Sequence, residues 1–300
     1  MELSWQMKLR IAASFAVGVI LLSILAWPMV SPPTPFDPIS FLDGTINNSE
    51  SLILFALALS AGFIAYFLAW PYGSEIGILA VPAGLSVLAV RTGSMANLLQ
   101  ANPALAQREV IFAALKWESL FWLALVGAGF LGTFLAAKIA RTPANPSAQP
   151  KKTNPMNAYI NIAIALVASG LIAQICLNIF AQDVRLFDSK LGSVIAQPAI
   201  GQIVFAVFVS FGIAAFVAKL FLDAGYIWPI IATAIVPAFA ISVYLKQGVL
   251  QYLFEHWPPV FFTNSALAIL PIQMVSFGTL GAVAGFWMAI RYQYWRKHEI

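Results

Sequence analysis

The run Ile203–Ala218, IVFAVFVSFGIAAFVA, holds no charged side chain, and Ser210 is its only hydroxyl. It does not alternate apolar with polar positions, as a strand of a membrane barrel would. A helix that is apolar on every side must be buried on every side, in a protein core or in lipid. Extended by its neighbours, the run approaches the ~20 apolar residues that cross a ~30 Å hydrocarbon core.

Working outward, the same pattern recurs at 9–30, 51–70, 75–90, 119–140, 158–181, 203–221, 226–245 and 266–290. The sequence therefore predicts an all-α, polytopic transmembrane helical bundle of about eight spans. Composition agrees: 61% of residues are apolar and 9% charged, against roughly a quarter charged in soluble domains. The first run follows Lys8 and Arg10 and lasts to Val30. That exceeds the 7–15-residue core of a signal peptide, and no A-x-A cleavage pattern follows, so it reads as a retained helix. The third run is short for a span, with Pro82 as a candidate kink. Pro237 is its counterpart in the seventh.

Between the runs, Pro71-Tyr72-Gly73 and Asp223-Ala224-Gly225 read as tight turns of helical hairpins. Ser31–Glu50 is Pro-rich and acidic, hence an extended loop. The stretch 142–157, with Pro143, Pro146, Pro150 and Pro155, is a linker that bisects the chain into halves 1–141 and 158–300. The segments 93–100 and 248–255 are amphipathic at helical spacing, and 184–202 mixes Leu186, Phe187 and Val194 with charges. All three read as segments lying in the membrane interface.

Basic residues flank the runs as topology signals. With the N-terminus in the cytoplasm of a cell's inner membrane, Lys8, Arg10, Lys138, Arg141, Lys151, Lys152, Arg291, Arg296 and Lys297 all fall inside. Eight crossings return the C-terminus there. The basic residues form no soluble patch of the kind nucleic-acid binding requires, which removes nucleic acid as a partner.

The halves resemble each other. Val81-Pro82-Ala83 and Val236-Pro237-Ala238 sit mid-run at a spacing of 155, at which Arg91 also matches Lys246 and Gly93 matches Gly248. Gly129-Phe130-Leu131-Gly132 is similar to the glycines of the last run. Four crossings precede the linker, so the copies would be parallel repeats.

Chemistry has few footholds. The two histidines, His256 and His298, lie outside the apolar runs, too few and too peripheral for bis-His haem or a three-ligand metal site. No cofactor or metal is expected. HExxH and phosphate-binding glycine patterns are missing, and no Asp lies within an apolar run. Cys176, the one cysteine, reads as an inert small core residue. Lys116, Glu118, Glu75, Lys219 and Asp223 lie near helix ends, where charge costs little. Lys219 and Asp223 are spaced to pair, and the tryptophans near run ends read as an interfacial belt.

Uncharged polar residues are the better candidates. Asn161, Gln174 and Asn178 in the fifth run and Gln273 in the eighth are candidates for a polar groove or for hydrogen-bonded glue between helices. Gly129, Gly132, Gly281 and Gly285 are candidate close-packing positions, within the chain or between copies. Three classes of function stay open. The leading one is a non-catalytic membrane subunit that anchors or stabilises a larger assembly, with lipids and other membrane subunits or further copies as partners. The second is a permease for an apolar or amphiphilic molecule or lipid. The third is a lipid-directed enzyme using external residues such as Glu109, Glu118, Glu255 and His256.

Overall fold

A computed structural model describes residues 4–32, 38, 39, 47–140 and 155–298. The spans expected from hydropathy are all present. Eight helices are long and apolar enough to cross a membrane: Trp5–Leu25, Asn48–Leu68, Gly73–Arg91, Leu105–Ile139, Tyr159–Phe180, Ile200–Leu222, Ile227–Tyr244 and Pro271–Lys297. The chain is an all-α polytopic membrane bundle. Most of the linker and most of the Pro-rich 31–50 segment lie outside the described residues.

The helices in chain order are α1 (Trp5–Gly18), α2 (Trp27–Val30), α3 (Asn48–Leu68), α4 (Gly73–Ile76), α5 (Ala80–Arg91), α6 (Met95–Ala101), α7 (Leu105–Ile139), α8 (Pro155–Phe180), α9 (Ile200–Leu222), α10 (Ile227–Tyr244), α11 (Gln247–His256) and α12 (Pro271–His298). A π-helical stretch, Val19–Leu25, continues α1, and a 3-10 turn, Gly77–Leu79, joins α4 to α5. The linker expected to run to Asn157 ends earlier, because α8 starts at Pro155. Proline suits a first helical position, where its missing N–H would have had no partner.

Pro82 lies in the first turn of α5, just after the 3-10 turn, and Pro237 lies inside α10. The short third span is explained, since nearly all of α5 from Ala80 to Ala89 is buried within the bundle rather than facing lipid. Gly18 and Gly84 make that burial feasible. A Cβ on Gly18 would lie 1.7 Å from the Ala80 carbonyl oxygen, and one on Gly84 would lie 2.3 Å from that of Gly18.

The glycines settle where the close packing occurs: within the chain. α3 packs on α7 and α9 on α12, each pair running in the same direction, since Phe55 meets Phe121 and Leu59 meets Gly132, and Phe208 meets Gly281 and Gly212 meets Gly285. A Cβ on Gly132 would meet the Leu59 carbonyl oxygen at 2.0 Å, and one on Gly281 would meet that of Phe208 at 2.1 Å. Gly129 packs under Val81, and Gly285 lies against the backbone of Gly212. α5 packs on α12 and α7 on α10, so third and eighth spans meet, as do fourth and seventh.

The face opposite the linker is capped rather than open. α6 and α11 are helical as the amphipathic pattern implied, and both bury apolar residues against the bundle. The segment 184–202 takes a different form from α6 and α11. It forms a hairpin of β1 (Arg185–Asp188) and β2 (Gly192–Ala196), and β2 also pairs with β3 (Phe261–Phe262) in the sheet order β1-β2-β3. Asp188 accepts hydrogen bonds from the Lys190 and Leu191 N–H groups through Oδ1, and Gly192 takes φ +79°. Together they set a three-residue turn.

A polar recess and a buried carboxylate

The predicted polar residues part company in three dimensions. Asn161 is exposed on α8, more than three helical turns before Gln174. Gln273 is 1% exposed; its Oε1 accepts from the Leu270 N–H at 3.1 Å and its Nε2 donates to the Ala89 carbonyl at 3.3 Å. It ties α12 to α5. Gln174 and Asn178 do share a face of α8. Gln174 Nε2 donates to Asn264 Oδ1 at 2.8 Å, and the same oxygen accepts from the Ala266 N–H at 2.9 Å.

Asn178 opens onto a recess of about 120 Å³. Gln182 continues its face just past the end of α8, Arg185 comes from β1, and Ser193 and Ile195 come from β2. Thr263, Asn264 and Ser265 close the far wall. Arg185 Nη2 donates to Ser193 Oγ at 3.3 Å. The carbonyls at the end of α8 are occupied by Gln202, whose Nε2 donates to Phe180 at 3.1 Å and Gln182 at 2.9 Å.

The hairpin is latched to the cap beside this recess. Asp188 Oδ2 accepts from Trp257 Nε1 at 2.8 Å and from the Tyr252 hydroxyl at 3.2 Å. Burial pushes the Asp188 carboxyl upward, but its hydrogen bonds from Leu191, Trp257, Lys190 and Tyr252 outweigh that and hold it below its ordinary value. Gln197 is a second latch, its Oε1 accepting from the Ala96 N–H at 3.1 Å and its Nε2 donating to Ala268 at 2.8 Å. Trp257 thus belongs to the latch.

Glu118 departs most from its sequence reading. It does not snorkel from a helix end but lies 1% exposed inside α7, accepting a hydrogen bond from Trp122 Nε1 at 3.0 Å. Trp122 is itself fully buried, so it does not face a membrane interface. α7 has 35 residues, about 52 Å at ~1.5 Å per residue, so residue 118 lies about 20 Å from its start, where the bundle covers it. Lys219 and Asp223 pair as expected, with Asp223 ending α9 at φ +49°. His256 stacks on Tyr252 at the exposed end of α11. Among the described residues no group of three or more His, Cys, Asp or Glu could hold a metal ion.

Fold and site define a multi-pass helical membrane protein with a polar cap over one face. Comparison with protein-family models, with curated proteins and with solved structures finds no match to this chain.

Proposed function

We propose that the chain is a non-catalytic membrane subunit that anchors or stabilises a larger assembly, set in a cell's inner membrane with both ends cytoplasmic. The observation that supports this is the outer edge of the hairpin, which pairs with no other strand among the described residues. β1 ends the sheet order, and beside it Val184, Leu186 and Phe187 are 45%, 41% and 83% exposed. A strand edge left open beside apolar side chains is a template for pairing with another chain. Asp188 and Gln197 hold this edge on the bundle, so a partner meets a rigid surface. Purification in mild detergent tests the reading. The wild type should co-elute with defined polypeptides that Phe187→Asp releases; a monodisperse wild-type monomer that Phe187→Asp leaves unchanged would overturn it.

A second reading is favoured by Glu118. An ionisable group buried in a spanning helix marks proton or ion pathways in many transporters. A permease would then use Glu118 as its coupling group. Proteoliposomes carrying an internal pH dye decide between them: a luminal pH change removed by Glu118→Gln puts transport ahead, and a silent wild type leaves the subunit reading in front.

Both readings accommodate two parallel copies, 1–141 and 158–300. Support comes from the paired contacts. Phe208 follows Leu59, and Gly281 follows Gly132, by the same 149 residues, and each pair makes the same backbone approach. The third and seventh spans fit less closely. Val81 faces Gly129 while Thr233 faces Gly278, about one helical turn off the register that matches Pro82 with Pro237.

A further inference from the structure

We propose that the recess between α8 and the hairpin binds a phosphate-type oxyanion, taken from a lipid headgroup or from free phosphate. Its chemistry is one-sided. The walls supply one guanidinium, three amides, three hydroxyls and Ile195, and no carboxylate. Asn264 is fixed as a donor, because Oδ1 already accepts two hydrogen bonds and the Nδ2 amide is what remains. Arg185 forms no ion pair among the described residues and spends one nitrogen on Ser193. The rest of its planar fork makes no hydrogen bond among the described residues, which leaves it for the bidentate contact that guanidinium makes with phosphate.

Size narrows the class. At about 120 Å³ the recess is below the ~300–1,000 Å³ of a site for a drug-sized molecule. It is several times the ~10–15 Å³ of such space that one water needs, which leaves room for a tetrahedral headgroup. Position points the same way, because the recess opens where the span Tyr159–Phe180 ends, the depth at which phosphate groups lie.

One effect opposes an anion there: α8 directs its C-terminal carbonyls, with partial negative charge, toward this end. Gln202 offsets it. Its amide sits on the Phe180 and Gln182 carbonyls, and it belongs to the first turn of α9, whose N-terminal end carries the opposite partial charge. A full positive charge on Arg185 then decides the sign of the site.

The test uses the full chain in an uncharged maltoside detergent, with two probes. Native mass spectrometry follows retention of phosphatidic acid against a phosphate-free galactolipid, and phosphorus NMR follows line broadening of inorganic phosphate. The wild type should bind at least one probe, lipid retention identifying a headgroup and broadening alone identifying free phosphate. Arg185→Gln and Asn178→Leu, both exposed positions with little folding risk, should weaken that binding about tenfold without moving the unfolding midpoint. Lys246→Gln, a cation on the same face outside the recess, should change nothing. Binding of neither probe, or an equal loss in Lys246→Gln and Arg185→Gln, overturns the proposal.

Discussion

One added carbon on Gly281 lies 2.1 Å from the Phe208 carbonyl oxygen, and one on Gly132 lies 2.0 Å from that of Leu59, whereas one on Gly127 meets nothing within 4 Å. Backbone oxygens cannot swing aside as side chains do, so substitution forces two helices apart. Gly132→Leu and Gly281→Leu should each destabilise by about 1–3 kcal/mol or more, measured by detergent-titrated unfolding, with Gly127→Leu close to neutral. Equal effects at all three positions would refute the close-packing role. Gln273→Leu removes the bond to the Ala89 carbonyl and should cost roughly 0.6–2 kcal/mol, while Asn161→Leu, exposed on α8, should cost little. Small-residue spacing made the glycine contacts legible in sequence. The amides were legible only as seekers of partners: Gln174 meets Asn264, 90 residues away, and Gln273 meets Ala89, 184 away. No local pattern encodes such pairs.

At the scale of elements, the spans were legible because lipid demands long, uninterrupted apolar runs, and that signal is strong over 20 residues. The hairpin was not. Its strands are only four and five residues long, too short for a two-residue period to stand out beside Leu186, Phe187 and Leu191. The one usable signal was Asp188-Ser189-Lys190-Leu191-Gly192, a turn sequence between β-branched and aromatic residues. Its aspartate gives the hairpin a pH limit. The folded-state pKa of Asp188 lies below its ordinary value, so the latch contributes fully above the unfolded value of about 3.9 and is lost as pH falls through the depressed folded value. Trp257 fluorescence should therefore report hairpin release only on strong acidification. In Asp188→Asn that acid transition should be gone, and the hairpin should be looser at neutral pH. A variant that keeps the transition would move the titration to another group.

For the whole molecule, the connection that divides the sequence is not the one that divides the packing. Gln273 of the last span bonds Ala89 of the third. Phe112 of the fourth lies edge-on to Tyr244 of the seventh at 4.6 Å, and Phe130 meets Tyr226 at 6.3 Å. On the capped face Gln197 spans from the Ala96 N–H to Ala268, and Arg108 stacks on Phe254 at 4.9 Å. These contacts tie each half to the other through a crossed exchange of spans, third to eighth and fourth to seventh, and a covalent link adds only a modest loop-closure term on top. A site-specific protease cut engineered within 142–154 should consequently leave the fragments together in mild detergent, eluting at the volume of the intact chain. Adding Gln273→Leu to the cut chain should weaken that association more than Gly285→Leu does, since Gln273 joins the halves while Gly285 packs on Gly212 within one half. Fragments that part on cutting alone, or that part more readily with Gly285→Leu, would mean that each half folds by itself and that the crossed contacts contribute little.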